Sequence, residues 1–346
     1  MYRRQRCMYR RQQWGGLLVA VLFSFALMGC PKQNATESAG PTGTHTAAGG
    51  GGGGQKLRIA VLPKGTAHSF WQTVKAGADA AGAEEGAEII WQGPSAETDI
   101  TEQINIFQNQ VNAGVSGIVL AATDAQALVK PVQDAMAKGI PVVTIDSGLS
   151  EPISLCYIAT DNVEGGRQAA EALAKEVGDK GNVGVLPFKK GARSSDEREK
   201  GFMEGIAKHP NIKVVATLYT DSDANKALDQ TFNMLTAHPD IVGIFAANEP
   251  GGIGAANALR QRKLAGKVKL VAYDASDVEM KGLQEGVIQA LIVQNPYRMG
   301  YEGVKTVIKA IRRQPIPDKQ IDTGVTVVTK DNLNTPDVQK LLKPTK

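Results

Sequence analysis

Short, apolar, β-branched runs recur between residues 57 and 293 with helix-period stretches between them, and this rhythm restricts the fold more than any other feature. A first series covers Leu57–Leu62, Ala87–Trp91, Gly117–Ala121, Pro141–Ile145 and Ile153–Ala159. A second covers Asn182–Leu186, Lys213–Leu218, Val242–Ala246, Val268–Tyr273 and Ile288–Val293. Amphipathic stretches such as Phe70–Glu85, Glu164–Val177, Asp196–Lys208 and Met299–Ile311 fill the gaps. The runs do not alternate with polar residues, which predicts strands buried on both faces, in parallel sheets covered by helices. Right-handed crossovers make each series a doubly wound sheet. The expected fold class is therefore α/β, with two doubly wound parallel-sheet lobes. No eightfold count favours a closed barrel.

The usual signatures of nucleotide and enzyme chemistry are missing. The turn after the first strand, Leu62-Pro-Lys-Gly-Thr-Ala-His-Ser-Phe-Trp71, has one glycine and ends in bulky rings, so a pyrophosphate could not approach its backbone. There is no phosphate-loop lysine motif, no paired-cysteine zinc pattern and no Gly-x-Ser-x-Gly elbow, and the four histidines lack metal-ligand spacing. No cofactor is expected.

Ligands of open parallel sheets bind beyond the carboxyl ends of the strands. Those positions hold Lys64, His68, Phe70 and Trp71 after the first strand and Asp146 and Ser147 after the fourth. Arg193 and Arg198 follow the Asn182 strand, and Asn248 with Glu249, Asp274 and Gln294 complete the series. Directional donors and acceptors beside aromatic faces suit a carbohydrate, whose hydroxyls pair with Asp, Asn, Arg and Gln while its C–H face stacks on a ring. Each residue also has a plainer explanation. Asp146, Asn248 and Asp274 stand where helix caps are common. Of Phe70 and Trp71, adjacent on a helix, one is expected in the core. Arg193 reads as solvated and His68 as a surface residue. Their coincidence at many strand ends is what favours a binding site.

The first 29 residues carry an export address. Arg3, Arg4, Arg6, Arg10 and Arg11 precede an apolar stretch from Leu17 to Met28, and Leu27-Met28-Gly29-Cys30 resembles the lipobox of bacterial lipoproteins. The apolar run falls short of the ~20 residues that an uncleaved membrane span requires. Residues 1–29 are read as a signal peptide and Cys30 as the lipidated residue. Residues 30–56, with six consecutive glycines at 49–54, form a flexible tether. The whole chain has net charge +4, but without the signal arginines 34 basic residues face 35 acidic ones, which excludes a general basic surface for nucleic acid. Cys156 has no partner for an internal disulfide and, within Ile153-Ser-Leu-Cys-Tyr-Ile158, reads as a buried inert thiol.

Several segments resemble the ribose-binding-protein branch of the type I periplasmic binding proteins. They are Ile59-Ala-Val-Leu62, Gly139-Ile-Pro-Val-Val-Thr-Ile-Asp146, Ile158-Ala-Thr-Asp-Asn162 with Gly165-Gly166, and Arg198 with Gly201-Phe202. Leu235-Thr-Ala-His-Pro-Asp240, Phe245-Ala-Ala-Asn248 and Val271-Ala-Tyr-Asp274 continue the likeness, which runs from Leu57 to about Thr329. Lactose-repressor-type regulators share the fold, but they carry a helix-turn-helix where this chain has a signal and tether. The resemblance implies a three-crossing hinge near Thr160, Gln294 and Thr323. It divides the folded part into an N-terminal lobe of residues 57–160 and 295–323 and a C-terminal lobe of residues 161–294 and 324–346. It also implies sugar contacts from Phe70, Trp71, Asp146, Arg198, Asn248, Asp274 and Gln294. His68 replaces an asparagine, Ser147 an arginine, Ala121 an asparagine and Ser222 a stacking ring, so a ligand other than ribose is expected. Lys64 and Arg193 are candidates for the missing donors.

The sequence thus predicts a lipid-anchored, monomeric solute-binding protein, periplasmic or at the cell surface, that closes on a sugar or polyol and delivers it to an ABC permease. A receptor presenting the same ligand to a chemoreceptor or sensor kinase is the alternative within binding proteins. An exported α/β enzyme using Asp146, His68 or Glu249 is the alternative outside them, and it lacks an activated nucleophile.

Overall fold

Each series of apolar runs forms its own sheet. The architecture comes from a computed structural model describing residues 56–343; the expected signal peptide, Cys30 and all but the last residue of the tether lie outside the described residues. The first series gives β1 (Arg58–Leu62), α1 (Ser69–Glu85), β2 (Glu88–Trp91), α2 (Ile100–Asn112), β3 (Gly117–Leu120), α3 (Val129–Ala137), β4 (Val142–Ile145) and β5 (Tyr157–Ala159). The second gives α4 (Asn162–Val177), β6 (Gly181–Leu186), α5 (Arg193–Ile206), β7 (Ile212–Thr217), α6 (Ala224–Ala237), β8 (Ile241–Ala246), α7 (Glu249–Gln261), β9 (Lys269–Tyr273), α8 (Asp277–Glu285) and β10 (Ala290–Val293). The chain ends with α9 (Pro296–Ile311), β11 (Gln320–Asp322), β12 (Thr326–Val328) and α10 (Pro336–Leu342).

One sheet has the order β11-β5-β4-β3-β1-β2 and the other β12-β10-β9-β8-β6-β7. Every pairing is parallel except β10 with β12. The chain passes from the first sheet to the second after β5, returns after β10, and crosses again between β11 and β12. The sequence rhythm did not disclose β11 and β12. Both are three-residue strands at a sheet edge, and Gln320-Ile-Asp322 is polar at both ends.

Apolar clusters cover both faces of each sheet. In the first lobe, Trp71, Val74 and Ala78 of α1 and Val304, Val307 and Ile308 of α9 join Val61, Val119 and Ile145 on one face. Phe107 of α2 and Val132 of α3 join Leu62, Ile118 and Leu120 on the other. In the second lobe, α4 and α5 bury Leu173 and Phe202 against Val185 and Phe245, while α6 and α7 bury Met234 and Leu259 against Ile244 and Leu270. Cys156 is buried in the first lobe, and burial pushes its thiol up to about 11.

Glycines let helices pack with almost no side-chain spacer in each lobe. A Cβ on Gly300 of α9 would meet the carbonyl oxygen of Val74 in α1, and a Cβ on Gly201 of α5 would meet that of Val163 in α4. These close approaches fix α1 and α5, which carry several of the residues described next.

Candidate functional site

The carboxyl ends of both sheets face one another, and the turns leaving them line a narrow interlobe cavity of about 20 Å³. Its lining comprises Lys64, His68, Phe70, Trp71, Glu97 and Asp146 from the first lobe. Phe188, Arg198, Asn248, Glu249, Pro250 and Asp274 line it from the second, with Gln294 at a crossing. All the sequence-predicted contacts are therefore gathered there except Ser147 and Arg193. Ser147 is buried behind Asp146, where its Oγ accepts from the backbone N–H of Ser194 at 3.4 Å. Arg193 turns outward: its Nε donates to Glu197 at 2.7 Å and its guanidinium stacks on the Tyr157 ring at 4.6 Å.

Phe70 and Trp71 both reach the cavity, against the expectation that one would be core only. They occupy the first turn of α1, which meets the cavity end-on, so neighbouring positions flank it together. Their rings pack edge to face at 5.0 Å. Trp71 is also a core residue, 1% exposed, and its Nε1–H donates to Glu97 at 2.8 Å. The ring lost at Ser222 has a counterpart from another direction, because Phe188, two residues beyond β6, brings a second aromatic face from the second lobe. Lys64 Nζ lies 4.9 Å from its centroid and the Arg198 guanidinium 5.6 Å.

The two strand-end aspartates occupy equivalent places in the two lobes and share an unusual backbone. Asp146 follows β4 with φ 54° and Asp274 follows β9 with φ 78°. Aspartate tolerates this left-handed region better than most residues. Neither caps the following helix. Asp274 accepts from Gln294 Nε2 at 2.6 Å and from the backbone N–H of Glu249 at 3.1 Å. Burial, with Glu249 and Asp146 nearby, outweighs Arg198 and pushes its carboxyl up to about 6. Asp146 Oδ2 is ion-paired with Lys64 Nζ at 2.9 Å, and Gln294 Oε1 is a buried acceptor with no donor. Asn248 fills the expected cap of α7 through Oδ1, which accepts from the Gly251 N–H at 3.1 Å, and its Nδ2 donates to Ser222 Oγ at 2.8 Å.

Arg198 is held on two sides. Its Nε donates to Asn162 Oδ1 and its Nη1 to the Ala247 carbonyl, each at 2.8 Å, while the guanidinium lies 3.8 Å from the centre of the Tyr273 ring. Neither of those bonds uses Nη2, and Arg198 lines the cavity.

Glu97, like Phe188 and Pro250, is a lining residue that the sequence reading missed. It lies on the loop between β2 and α2, in a Ser-Ala-Glu-Thr-Asp run with the composition of an exposed turn, yet it is buried. Besides Trp71 it accepts from Ser222 Oγ at 2.7 Å, and His68 Nδ1 stands 3.4 Å away. Burial alone would raise the Glu97 carboxyl, but Lys64, His68 and Ser222 hold it well below the usual carboxylate range. Burial opposes charge on His68, yet Glu97 raises its pKa overall, with Glu249 and Asp274 assisting. The strand-end rule, extended to β2, would have pointed to this loop.

Two lobes of this topology, with their strand-end residues turned toward one interlobe cavity, define a hinged binding protein. The chain belongs to the periplasmic binding proteins: that family's domain matches residues 59–315. It is similar to the D-ribose/D-allose-binding protein of Pseudomonas aeruginosa, 31% identical over 288 residues that cover 80% of this chain and 89% of the relative. A solute-binding protein from Agrobacterium radiobacter, solved with D-arabinose, matches with TM-score 0.81 and 37% identity over 83% of this chain and 99% of its own. One from Agrobacterium vitis, solved with D-fucose, matches with TM-score 0.81 and 39% identity over 83% of this chain and 100% of its own.

Proposed function

We propose that the protein captures a neutral monosaccharide or polyol other than ribose between its lobes and delivers it to an ABC-type permease. The observation that carries this reading is the convergence on one interlobe cavity of buried acceptors from both sides, the Asp146 and Asp274 carboxylates and Gln294 Oε1, the last without a donor. Ligand hydroxyls would donate to them while Arg198, Lys64 and His68 donate to ligand oxygens and Phe70 and Phe188 supply ring faces. The carboxylates of Glu97, Asp146, Glu249 and Asp274 outnumber the Lys64 and Arg198 cations around the cavity, which disfavours sugar acids and phosphates. A relative named for ribose and allose, and similar solute-binding proteins solved with D-arabinose and D-fucose, support the sugar class. Substitution of the expected arginine and asparagine by Ser147 and Ala121, with the entry of Glu97, supports a ligand other than ribose.

Contacts from both lobes are what make a ligand favour closure, since only differential affinity shifts a conformational equilibrium. This role needs no reacting group, and we read the chain as a transport component rather than an enzyme. Signal cleavage, lipidation at Cys30 and a monomeric state complete the proposal. They rest on the Leu27-Met28-Gly29-Cys30 motif and on a site assembled within one chain.

A thermal-shift panel of pentoses, hexoses, polyols and the matching aldonates tests the ligand class. The expected result is stabilisation by one or a few neutral sugars or polyols and none by aldonates. A preference for D-ribose, or no response to any neutral compound, would overturn it.

A further inference from the structure

Among the described residues, six of the ten helices carry a capping side chain of their own: Asp99 on α2, Asp161 on α4, Asp223 on α6, Asn248 on α7, Ser276 on α8 and Asn295 on α9. The 17-residue α1 does not. His68 at its N-cap makes no capping bond, and its first turn holds no acidic residue. Its free backbone donors are satisfied from the other lobe. Glu249 Oε1 accepts from the Ser69 N–H at 3.2 Å and from Ser69 Oγ at 2.6 Å, and Oε2 accepts from the Phe70 N–H at 2.9 Å. A carboxylate at a helix N-terminus gains both the charge-assisted bonds and the favourable end of the helix dipole.

The same residue is tied to the ligand wall of its own lobe. Its backbone N–H donates to Asp274 at 3.1 Å, and it directly follows Asn248. On the far side, the α1 turn that it grips presents His68, Phe70 and Trp71 to the cavity. One side chain thus joins the Asp274–Asn248 wall to the aromatic wall across the cleft.

We propose that Glu249 is the positioning residue for closure, a carboxylate latch that caps α1 of the opposite lobe and holds the two walls of the sugar site together. The latch extends the sugar-binding reading as far as ligand release is concerned. Its effect on the lobes themselves does not depend on which ligand is bound.

The α1 end of the contact can be removed without altering the cavity lining. Ser69 is the first helical residue, where proline is well accommodated, and His68 before it has φ −83° and ψ 149°, the extended conformation that precedes proline. Ser69→Pro therefore deletes two of the three donors while leaving α1 intact, and Glu249→Ala deletes the acceptor. Energy transfer between dyes at Lys130→Cys and Lys281→Cys, one on each lobe, reads the lobe separation. Without ligand, the closed fraction should fall about tenfold in both variants, the scale set by hydrogen bonds to a charged group. With D-arabinose as probe, both variants should dissociate about tenfold faster with little change in association rate.

Unchanged lobe separation in both variants would overturn the latch. So would an effect of Glu249→Ala that Ser69→Pro does not share, because Glu249 would then act as a ligand contact. Failure of the parent protein to bind D-arabinose counts against that sugar alone; the ligand-free arm still decides the role of Glu249.

Discussion

Asp274 shows how one residue's surroundings set its function. Its carboxyl is buried, is bound to Gln294 and Glu249, and holds its proton up to about pH 6. An unfolded aspartate releases its proton near pH ~4. The raised value therefore means that Asp274 favours folding below about pH 4 and loses that contribution as pH rises through about 6. Ligand binding has the opposite dependence, because a hydroxyl donates to the charged form. Through Asp274, affinity should weaken as pH falls below about 6, approaching tenfold per unit. Titration of a bound sugar between pH 5 and 8 checks this, and a flat profile contradicts it. Asp274→Asn keeps the shape and the tolerance for φ 78° but removes the titration, so it should weaken binding by about 100-fold and abolish the pH slope.

At the scale of elements, the helix pairs α1–α9 and α4–α5 place the site residues. Gly300→Ala and Gly201→Ala each force a methyl group into a neighbouring backbone carbonyl, which should cost about 1–3 kcal/mol. Thermal melts check the stability loss. Because α1 carries Phe70 and Trp71 and α5 carries Arg198, affinity should fall as well, and a stable variant with parental affinity would show that these helices have freedom to shift. Much of this layer was legible in the sequence. Ten buried runs announced β1 to β10, and the strand-end rule reached Asp146, Asn248, Asp274 and Gln294. Glu97 was missed because its loop has the composition of an exposed turn, while the residues it bonds, Trp71 and Ser222, lie far from it in the chain. Arg193 shows the reverse: it follows a strand closely, but its pairing with Glu197 one helical turn along draws it outward.

For the whole molecule, the sequence disclosed two lobes because each sheet needs its own apolar faces, and each shows a cluster on both. How the lobes meet was not disclosed, since contacts across the cleft join residues far apart in the chain that carry no common pattern. Lys64 donates to Ser194 at 3.1 Å, Lys189 to the Thr123 carbonyl at 2.8 Å, and Ser222 to Glu97 at 2.7 Å. These bonds cross the cleft around the cavity, so a ligand that fills the cavity acts in concert with them. Small-angle scattering of the ligand-free protein, repeated with each neutral sugar that stabilises it, measures the resulting closure directly. The radius of gyration should fall on addition of the cognate sugar and stay unchanged with its aldonate. A radius unaltered by every sugar that binds would contradict capture by closure of the two lobes.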